Sequence, residues 1–248
     1  MRTRAVVGVL SGVLALAALG VPGADAVTKY TDVKNIVVNG GKPVALGVSG
    51  SVSVPVSMAV SVATHGADAT LYHGAWPEAT DAYVNPAKTC AGRTGDYTCT
   101  MNFTFTALKT VKKNADAGTW GVYASAVGNA NAEKVLPFAF NVVRAAKLTT
   151  DASPEPAKYG GTITVTGRLT RANWETGQYQ GNINQQVQLQ FRDSNAGAYT
   201  TVKTVTSGTD GALKATVPAL ASGSWRWVFA GTNTTGAATS AADDVVVK

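Results

Sequence analysis

Hydrophobic residues alternate with polar ones in several stretches of this chain, a spacing that predicts strands with one buried face and one wet face. The longest run covers residues 52–62, where valine or methionine recurs at every second position. Residues 162–169 place Ile163, Val165 and Leu169 on one face, and residues 187–191 alternate apolar residues with glutamine. No stretch after the first 26 residues keeps a helical period, so the pattern predicts an all-β protein.

The predicted strands fall into two halves with similar spacing. Gly118-Thr119-Trp120 and Gly223-Ser224-Trp225 each open an alternating strand, and each tryptophan lies 23 residues before the end of its half. A β-sandwich buries large aromatic residues between its two sheets. We therefore predict two tandem immunoglobulin-like β-sandwich domains, at residues 30–143 and 146–248, with both tryptophans in the cores.

Two short connections carry further predictions. The spacer Arg144-Ala145-Ala146 contains neither glycine nor proline, so the two domains are expected to touch. Asp210-Gly211 separates two alternating segments, which is the usual signal of a β-hairpin turn.

The first 26 residues have the composition of a secretory signal peptide. Arg2 and Arg4 precede an apolar run over residues 5–21, and Ala24-Asp25-Ala26 offers small residues for cleavage. No second apolar span follows, so we expect a secreted, extracellular chain that begins at Val27 and does not insert into a membrane.

Charge adds little to this picture. Removing Arg2, Arg4 and Asp25 lowers the formal net charge from +6 to +5. Such a surplus favours solubility, and its alternative role is screened attraction to anionic wall polymers. The chain has no nucleic-acid-binding motif, so no nucleic acid partner is expected.

Cys90 and Cys99 are the only cysteines. In an exported chain an isolated pair most often forms a disulfide, and closing so short a loop contributes roughly 2.5–3 kcal/mol on a chain-entropy estimate. A zinc site would need more ligands than His65 and His73 supply, and a redox motif would need a Cys-x-x-Cys spacing. We predict a structural disulfide, no metal and no cofactor.

Catalytic motifs are absent from the sequence. It contains no Gly-x-Ser-x-Gly, no His-Glu-x-x-His and no phosphate-binding glycine loop, and two histidines are a small supply of general bases. We predict no catalytic residues and a protein that is not an enzyme.

A stretch of polar residues between Thr170 and Gln186 reads as a long loop, and such loops are often functional. Within it, Trp174, Glu175 and Tyr179 combine aromatic surface with hydrogen-bonding groups, a composition typical of binding surfaces. These three are the candidate ligand-binding residues. The alternative is that Trp174 folds back as a plug over the end of a sandwich.

Several segments resemble secreted proteins of actinobacteria that are built of tandem immunoglobulin-like domains. The resemblance rests mainly on Ser153-Pro-Glu-Pro156, residues 160–174, residues 187–192, residues 199–205 and residues 225–231, with weaker matches at residues 42–47 and 71–74. It implies an exported tandem immunoglobulin-like protein. That family carries no established activity, so the resemblance assigns no functional residue.

Three functions are compatible with these observations. The first is a non-enzymatic extracellular binding or structural protein whose partner is another protein or a cell-surface component. The second is a carbohydrate-binding module that stacks a polysaccharide on exposed rings of Trp174 and Tyr179. The third is a protease inhibitor that projects the disulfide loop, residues 91–98, as a bait.

Overall fold

The computed structural model of the protein describes residues 32–61, 66–79, 83–84, 88–93, 96–127 and 131–248. The predicted signal peptide lies outside these residues. The described residues form strands β1 to β19 and three single-turn 3-10 segments, at Asn39–Gly41, Asn114–Asp116 and Thr209–Gly211, which confirms the all-β prediction. No helix among them has the length and apolar character needed to cross a membrane.

The first nine strands build one sandwich, the first sandwich. One of its sheets has the order β1-β3-β7-β6, and the other has the order β2-β9-β8-β4-β5. Lettered along the chain, these orders are A-B-E-D and A′-G-F-C-C′, the arrangement of an immunoglobulin-like sandwich. The strands are β1 (Asp32–Val38), β2 (Val44–Leu46), β3 (Ser51–Ser61), β4 (Gly66–Tyr72), β5 (Tyr83–Val84), β6 (Lys88–Arg93), β7 (Asp96–Thr106), β8 (Gly118–Val127) and β9 (Ala132–Arg144).

The core of the first sandwich follows from the alternation in β3. Val54 and Val56 lie opposite Phe103 and Met101 of β7, and all four side chains are fully buried. Trp120 of β8 closes one end of this core, where its indole Nε1 donates a hydrogen bond to the carbonyl oxygen of Asp116 at 2.9 Å. The apolar residues of the predicted period-two pattern therefore form the inner face of the sheet.

The disulfide between Cys90 and Cys99 is present, as predicted. It joins β6 to β7, where the two residues lie directly opposite each other with their Cα atoms 4.0 Å apart. Pairing continues to Arg93 and Asp96, so the described residues of the segment considered as a bait loop belong to paired strands, and residues 94–95 lie outside the described part.

Strands β10 to β19 build the second sandwich. One sheet holds β10, β11, β12, β13 and β16, and the other has the order β15-β14-β17-β18, with β19 also paired to β17. In letters these are A-B-E and C′-C-F-G, with strands A and G each interrupted. The strands are β10 (Ala146–Leu148), β11 (Asp151–Ser153), β12 (Thr162–Asn173), β13 (Gln178–Gly181), β14 (Gln186–Asp193), β15 (Thr200–Thr206), β16 (Ala212–Pro218), β17 (Gly223–Phe229), β18 (Ala238–Thr239) and β19 (Asp243–Val245).

The prediction of a β-hairpin at Asp210-Gly211 is wrong. The turn at Thr209–Gly211 links β15 to β16, and these strands belong to different sheets. A crossing from sheet to sheet needs the same tight turn residues as a hairpin, so the local signal does not distinguish the two connections.

The two tryptophans used to align the halves occupy corresponding places. Trp120 lies near the start of β8 and Trp225 near the start of β17, which is strand F in each sandwich. Both side chains are buried, as predicted, although they belong to separate clusters of core residues.

Candidate functional site

The polar stretch predicted as a loop from Thr170 is largely a β-hairpin. β12 continues to Asn173 and pairs with β13, so that Thr170 lies opposite Gly181 and Asn173 opposite Gln178. The sequence hides this extension because Ala172 is the only buried residue in the last four of β12, and alanine contributes little to a hydrophobic pattern. We call residues 170–181 the joint hairpin, since it projects from the second sandwich onto the first.

Trp174 at the tip of the joint hairpin is part of the first sandwich's core. Its side chain is only 2% exposed, and it belongs with Ala172 to the cluster of buried residues contributed by β1 to β9. The indole Nε1 donates to the carbonyl oxygens of Leu46 and Gly47 at 3.3 and 3.0 Å. Its ring and its polar atom are therefore both used within the protein.

Asn114 of the first sandwich holds the hairpin tip in place. Its side-chain amide donates to Glu175 Oε2 and to Asn173 Oδ1, both at 3.0 Å, and its backbone N–H donates to Glu175 Oε1 at 3.2 Å. In return, the Trp174 backbone N–H donates to Asn114 Oδ1 at 3.1 Å. Four hydrogen bonds thus join one asparagine to three consecutive residues of the hairpin.

Main-chain hydrogen bonds extend this contact along the spacer. The Ala145 N–H donates to the carbonyl oxygen of Leu46 and the Ala172 N–H donates to that of Ala145, both at 2.9 Å. On the other side, the Arg144 N–H donates to the carbonyl oxygen of Thr234 at 3.0 Å. The spacer is therefore bonded to both sandwiches, as expected for a connection that leaves the two halves in contact.

Tyr179 lies on the return strand of the joint hairpin and packs against the first sandwich's core. The ammonium of Lys147 sits 4.0 Å from the centre of its ring, a cation–π contact. Burial raises the pKa of the Tyr179 phenol above its ordinary value because the anion would be poorly solvated there.

Two arginines converge beside this hairpin. Arg144 is a buried residue, and its Nε has no hydrogen-bond partner in the described part of the chain. Burial, together with the like charge of Arg171, lowers the pKa of Arg144, while the carboxylate of Glu175 opposes that shift. Burial also lowers the pKa of Arg171, whose Nη1 donates to Thr235 Oγ1 at 3.5 Å. The contact between the two sandwiches, which we call the joint, therefore contains positive charge that is not fully neutralised.

Replacing Arg144 with methionine is expected to stabilise the protein by about 1 kcal/mol, because a buried charge with an unsatisfied donor gives way to an apolar side chain of similar length. Urea unfolding followed by far-UV circular dichroism measures this change. Lys214→Met, an exposed cation on β16, is the control and should change the free energy of unfolding by less than about 0.5 kcal/mol. A loss of stability in Arg144→Met would show that the guanidinium is a favourable contact of the joint.

The three candidate ligand-binding residues therefore meet in one place, but as part of a contact between the sandwiches. The carbohydrate-binding alternative required exposed rings, and Trp174 presents no ring face to solvent. Trp174 is buried, as the plug alternative expected, but it enters the first sandwich instead of folding back over the second. A ligand for Glu175 and Tyr179 stays a prediction. Among the described residues, no group of three or more His, Cys, Asp or Glu side chains is placed to hold a metal ion.

Sequence reasoning missed the first sandwich's share of the joint. Asn114 follows a lysine-rich turn and has no feature that sets it apart from other turn asparagines, and its contact with Glu175 spans 61 residues. The short spacer was the one available signal, and it predicted contact without naming the residues.

Comparisons with protein-family models and with curated protein sequences find no match. Among solved structures, the chain is similar to a chimeric titin Z1Z2-Z1Z2 tandem, at 14% identity over 86% of this chain and 98% of that one, with a TM-score of 0.31. It is also similar to the D0-D1 domain of intimin, at 13% identity, 86% and 98% coverage and a TM-score of 0.28.

A third similar structure holds three N-terminal domains of the Hoc outer capsid protein of bacteriophage RB49. Identity there is 10% over 88% of this chain and 70% of that one, with a TM-score of 0.34. Likenesses this weak carry no functional conclusion, and the immunoglobulin-like assignment rests on the strand order of the first sandwich.

Proposed function

We propose that this chain is an exported, non-enzymatic binding or structural protein in which two sandwiches act as one stiff unit. Its partner is another extracellular protein or a component of the cell surface. The organisation at residues 30–143 and 146–248 gives the unit two domains, each with its own core. This is also what the resemblance to secreted actinobacterial proteins implies.

The insertion of Trp174 into the first sandwich is the observation that carries this proposal. A large aromatic side chain buried across the contact, with its indole nitrogen bonded to Leu46 and Gly47, opposes bending between the two halves. Domains joined only by a flexible linker would reorient freely. A stiff pair holds a binding face at a set distance and angle from its attachment, which suits a protein that works at a surface.

The Cys90–Cys99 disulfide supports an extracellular location, because such bonds persist in oxidising compartments. The absence of a recognisable nucleophile and base in the sequence supports a binding role over catalysis. The formal net charge of +5 expected after removal of the leader adds a general attraction to anionic surfaces, which falls as salt rises.

Sedimentation with intact cells of the producing organism and with purified peptidoglycan tests this function. The wild-type chain, exported through its own leader and recovered from the medium, is expected to sediment with the cells at low and at high salt. Binding that disappears at high salt would reduce the interaction to net charge. Failure to sediment with either material at any salt concentration would exclude a partner on the cell surface, and retention of the chain inside the cell would contradict export.

A further inference from the structure

An apolar groove opens on the side of the second sandwich, away from the joint. It measures about 190 Å³ and lies between the edges of β15 and β16. Phe191 and Trp225 form its floor with ring centres 4.5 Å apart, and Val202 and Leu220 form its rim. Both rim residues are exposed, Val202 at 47% and Leu220 at 60%, so the groove is bordered by accessible apolar surface.

The floor contains a buried donor without an acceptor. Trp225 is 4% exposed, and its indole Nε1 has no hydrogen-bond partner in the described chain. Trp120, Trp174 and Trp227 are also buried, and each donates its indole N–H to a backbone carbonyl. A buried donor left unpaired loses its hydration without compensation, so this part of the second sandwich is less well satisfied than the corresponding part of the first.

The connection between strands E and F explains why the groove is open. In the first sandwich residues 107–117 make this connection, and their carbonyl at Asp116 accepts from the Trp120 indole. In the second sandwich only residues 219–222 connect β16 to β17, and they supply no acceptor to Trp225. The tryptophan at this position is therefore covered and hydrogen-bonded by the E–F connection in the first sandwich but not in the second.

The size and borders of the groove select the class of ligand. Pockets for cofactors or drug-sized molecules are roughly 300–1,000 Å³, so this groove takes one or two side chains instead. Within the part of the chain that the structure describes, β15 pairs only with β14 and β16 only with β12, which leaves an unpaired strand edge on each side of the groove. Extended protein segments bind such edges through main-chain hydrogen bonds and place alternate side chains in adjacent pockets.

We propose that this groove binds an extended segment of a partner protein, with a leucine-like side chain against Phe191 and main-chain hydrogen bonds to an unpaired strand edge beside it. The inference rests on the proposed function and gives its protein partner a location. Gly223 maintains the shape of the floor, because a Cβ there would lie 2.6 Å from the Phe191 ring and 2.3 Å from the Arg192 carbonyl oxygen.

Titration of the full mature chain with a lysine-capped peptide that alternates threonine and leucine tests the site by ¹H–¹⁵N NMR. The indole N–H signal of Trp225, assigned with Trp225→Phe, is expected to shift, while the indole signal of Trp227 stays in place. A peptide that alternates threonine with alanine is expected to bind at least about tenfold more weakly, since it lacks the anchoring side chain.

Leu220→Glu places a charge on the exposed rim and is expected to raise the dissociation constant about tenfold or more. Ile183→Glu is the matched control, because Ile183 is 50% exposed outside the groove, and it should leave binding unchanged. An unmoved Trp225 signal at millimolar peptide, equal binding of the alanine peptide, or equal binding by Leu220→Glu would each overturn the site.

The sedimentation assay, repeated with Leu220→Glu, separates this site from the proposed function. If the wild-type chain sediments with cells and Leu220→Glu does not, both proposals stand. If the two sediment equally, the function stands and the groove is not where the partner binds. If the wild-type chain does not sediment while the leucine peptide still shifts Trp225, a cell-surface partner is excluded and the groove remains a peptide site.

Discussion

Replacing Trp174 with alanine is expected to lower the free energy of unfolding of the first sandwich by about 3–5 kcal/mol, the usual range for removing a buried tryptophan. The side chain belongs to that sandwich's core although it comes from the second half of the chain. The loss should therefore appear in the first sandwich's unfolding transition, followed by far-UV circular dichroism in urea. Small-angle X-ray scattering of the folded variant should show a broader distribution of distances between the halves.

One further variant separates the hydrogen bonds of Trp174 from the burial of its ring, and a second serves as the control. Trp174→Phe keeps an aromatic ring but removes the donor to Leu46 and Gly47, so about 1–2 kcal/mol should be lost. Trp76→Ala removes a partly exposed tryptophan stacked on Tyr123, away from the joint, and should leave the scattering profile unchanged. If Trp174→Ala kept wild-type stability and scattering, the joint would not depend on this residue and the stiff two-domain proposal would lose its support.

Replacing Gly211 with alanine is expected to destabilise the second sandwich by about 3–5 kcal/mol, by combining an unfavourable backbone conformation with a collision. Gly211 has φ of +77°, and a Cβ there would lie 1.9 Å from the Leu169 carbonyl oxygen. That oxygen accepts from the Asn182 N–H at 2.9 Å, immediately after the joint hairpin. Relief of the collision would displace the base of the hairpin that carries Trp174.

Gly41→Ala is the matched control for this variant. Gly41 also has φ of +77°, but a Cβ there would meet nothing within 4 Å. The control therefore reports the backbone conformation alone, which amounts to about 1–2 kcal/mol. Thermal and urea unfolding of both variants measure the difference, and equal losses would show that the Leu169 carbonyl moves aside without cost.

Much of the fold was predictable from period-two patterns. Alternation in residues 52–62 and 162–169 identified two central strands, because each has one face against a core and one face against solvent. The tryptophans at residues 120 and 225 marked the same strand in both sandwiches, since a large aromatic residue fills the space between two sheets at that point. The disulfide was also predictable, as an isolated pair of cysteines in a chain for which the sequence predicts export.

The failures share a physical cause. The predicted loop after Thr170 is a hairpin whose buried side chains, Ala172 and Trp174, pack against the other sandwich. The residues that bury them are far away in sequence, so the local pattern does not indicate a strand. Asp210-Gly211 supplies a tight turn in either of two connections, and only the placement of β15 and β16 in different sheets decides between them.

The sequence by itself determined the alternating strands and the disulfide, and it suggested the two halves and the candidate residues, because each depends on residues close together in the chain. Only the tertiary structure decided that Trp174 enters the first sandwich and that Asn114 holds Glu175. It alone also left the Trp225 indole without an acceptor beside an open groove. Those outcomes depend on which surfaces come into contact after the two cores have formed, and a local sequence pattern does not predict contacts between residues that are far apart in the chain.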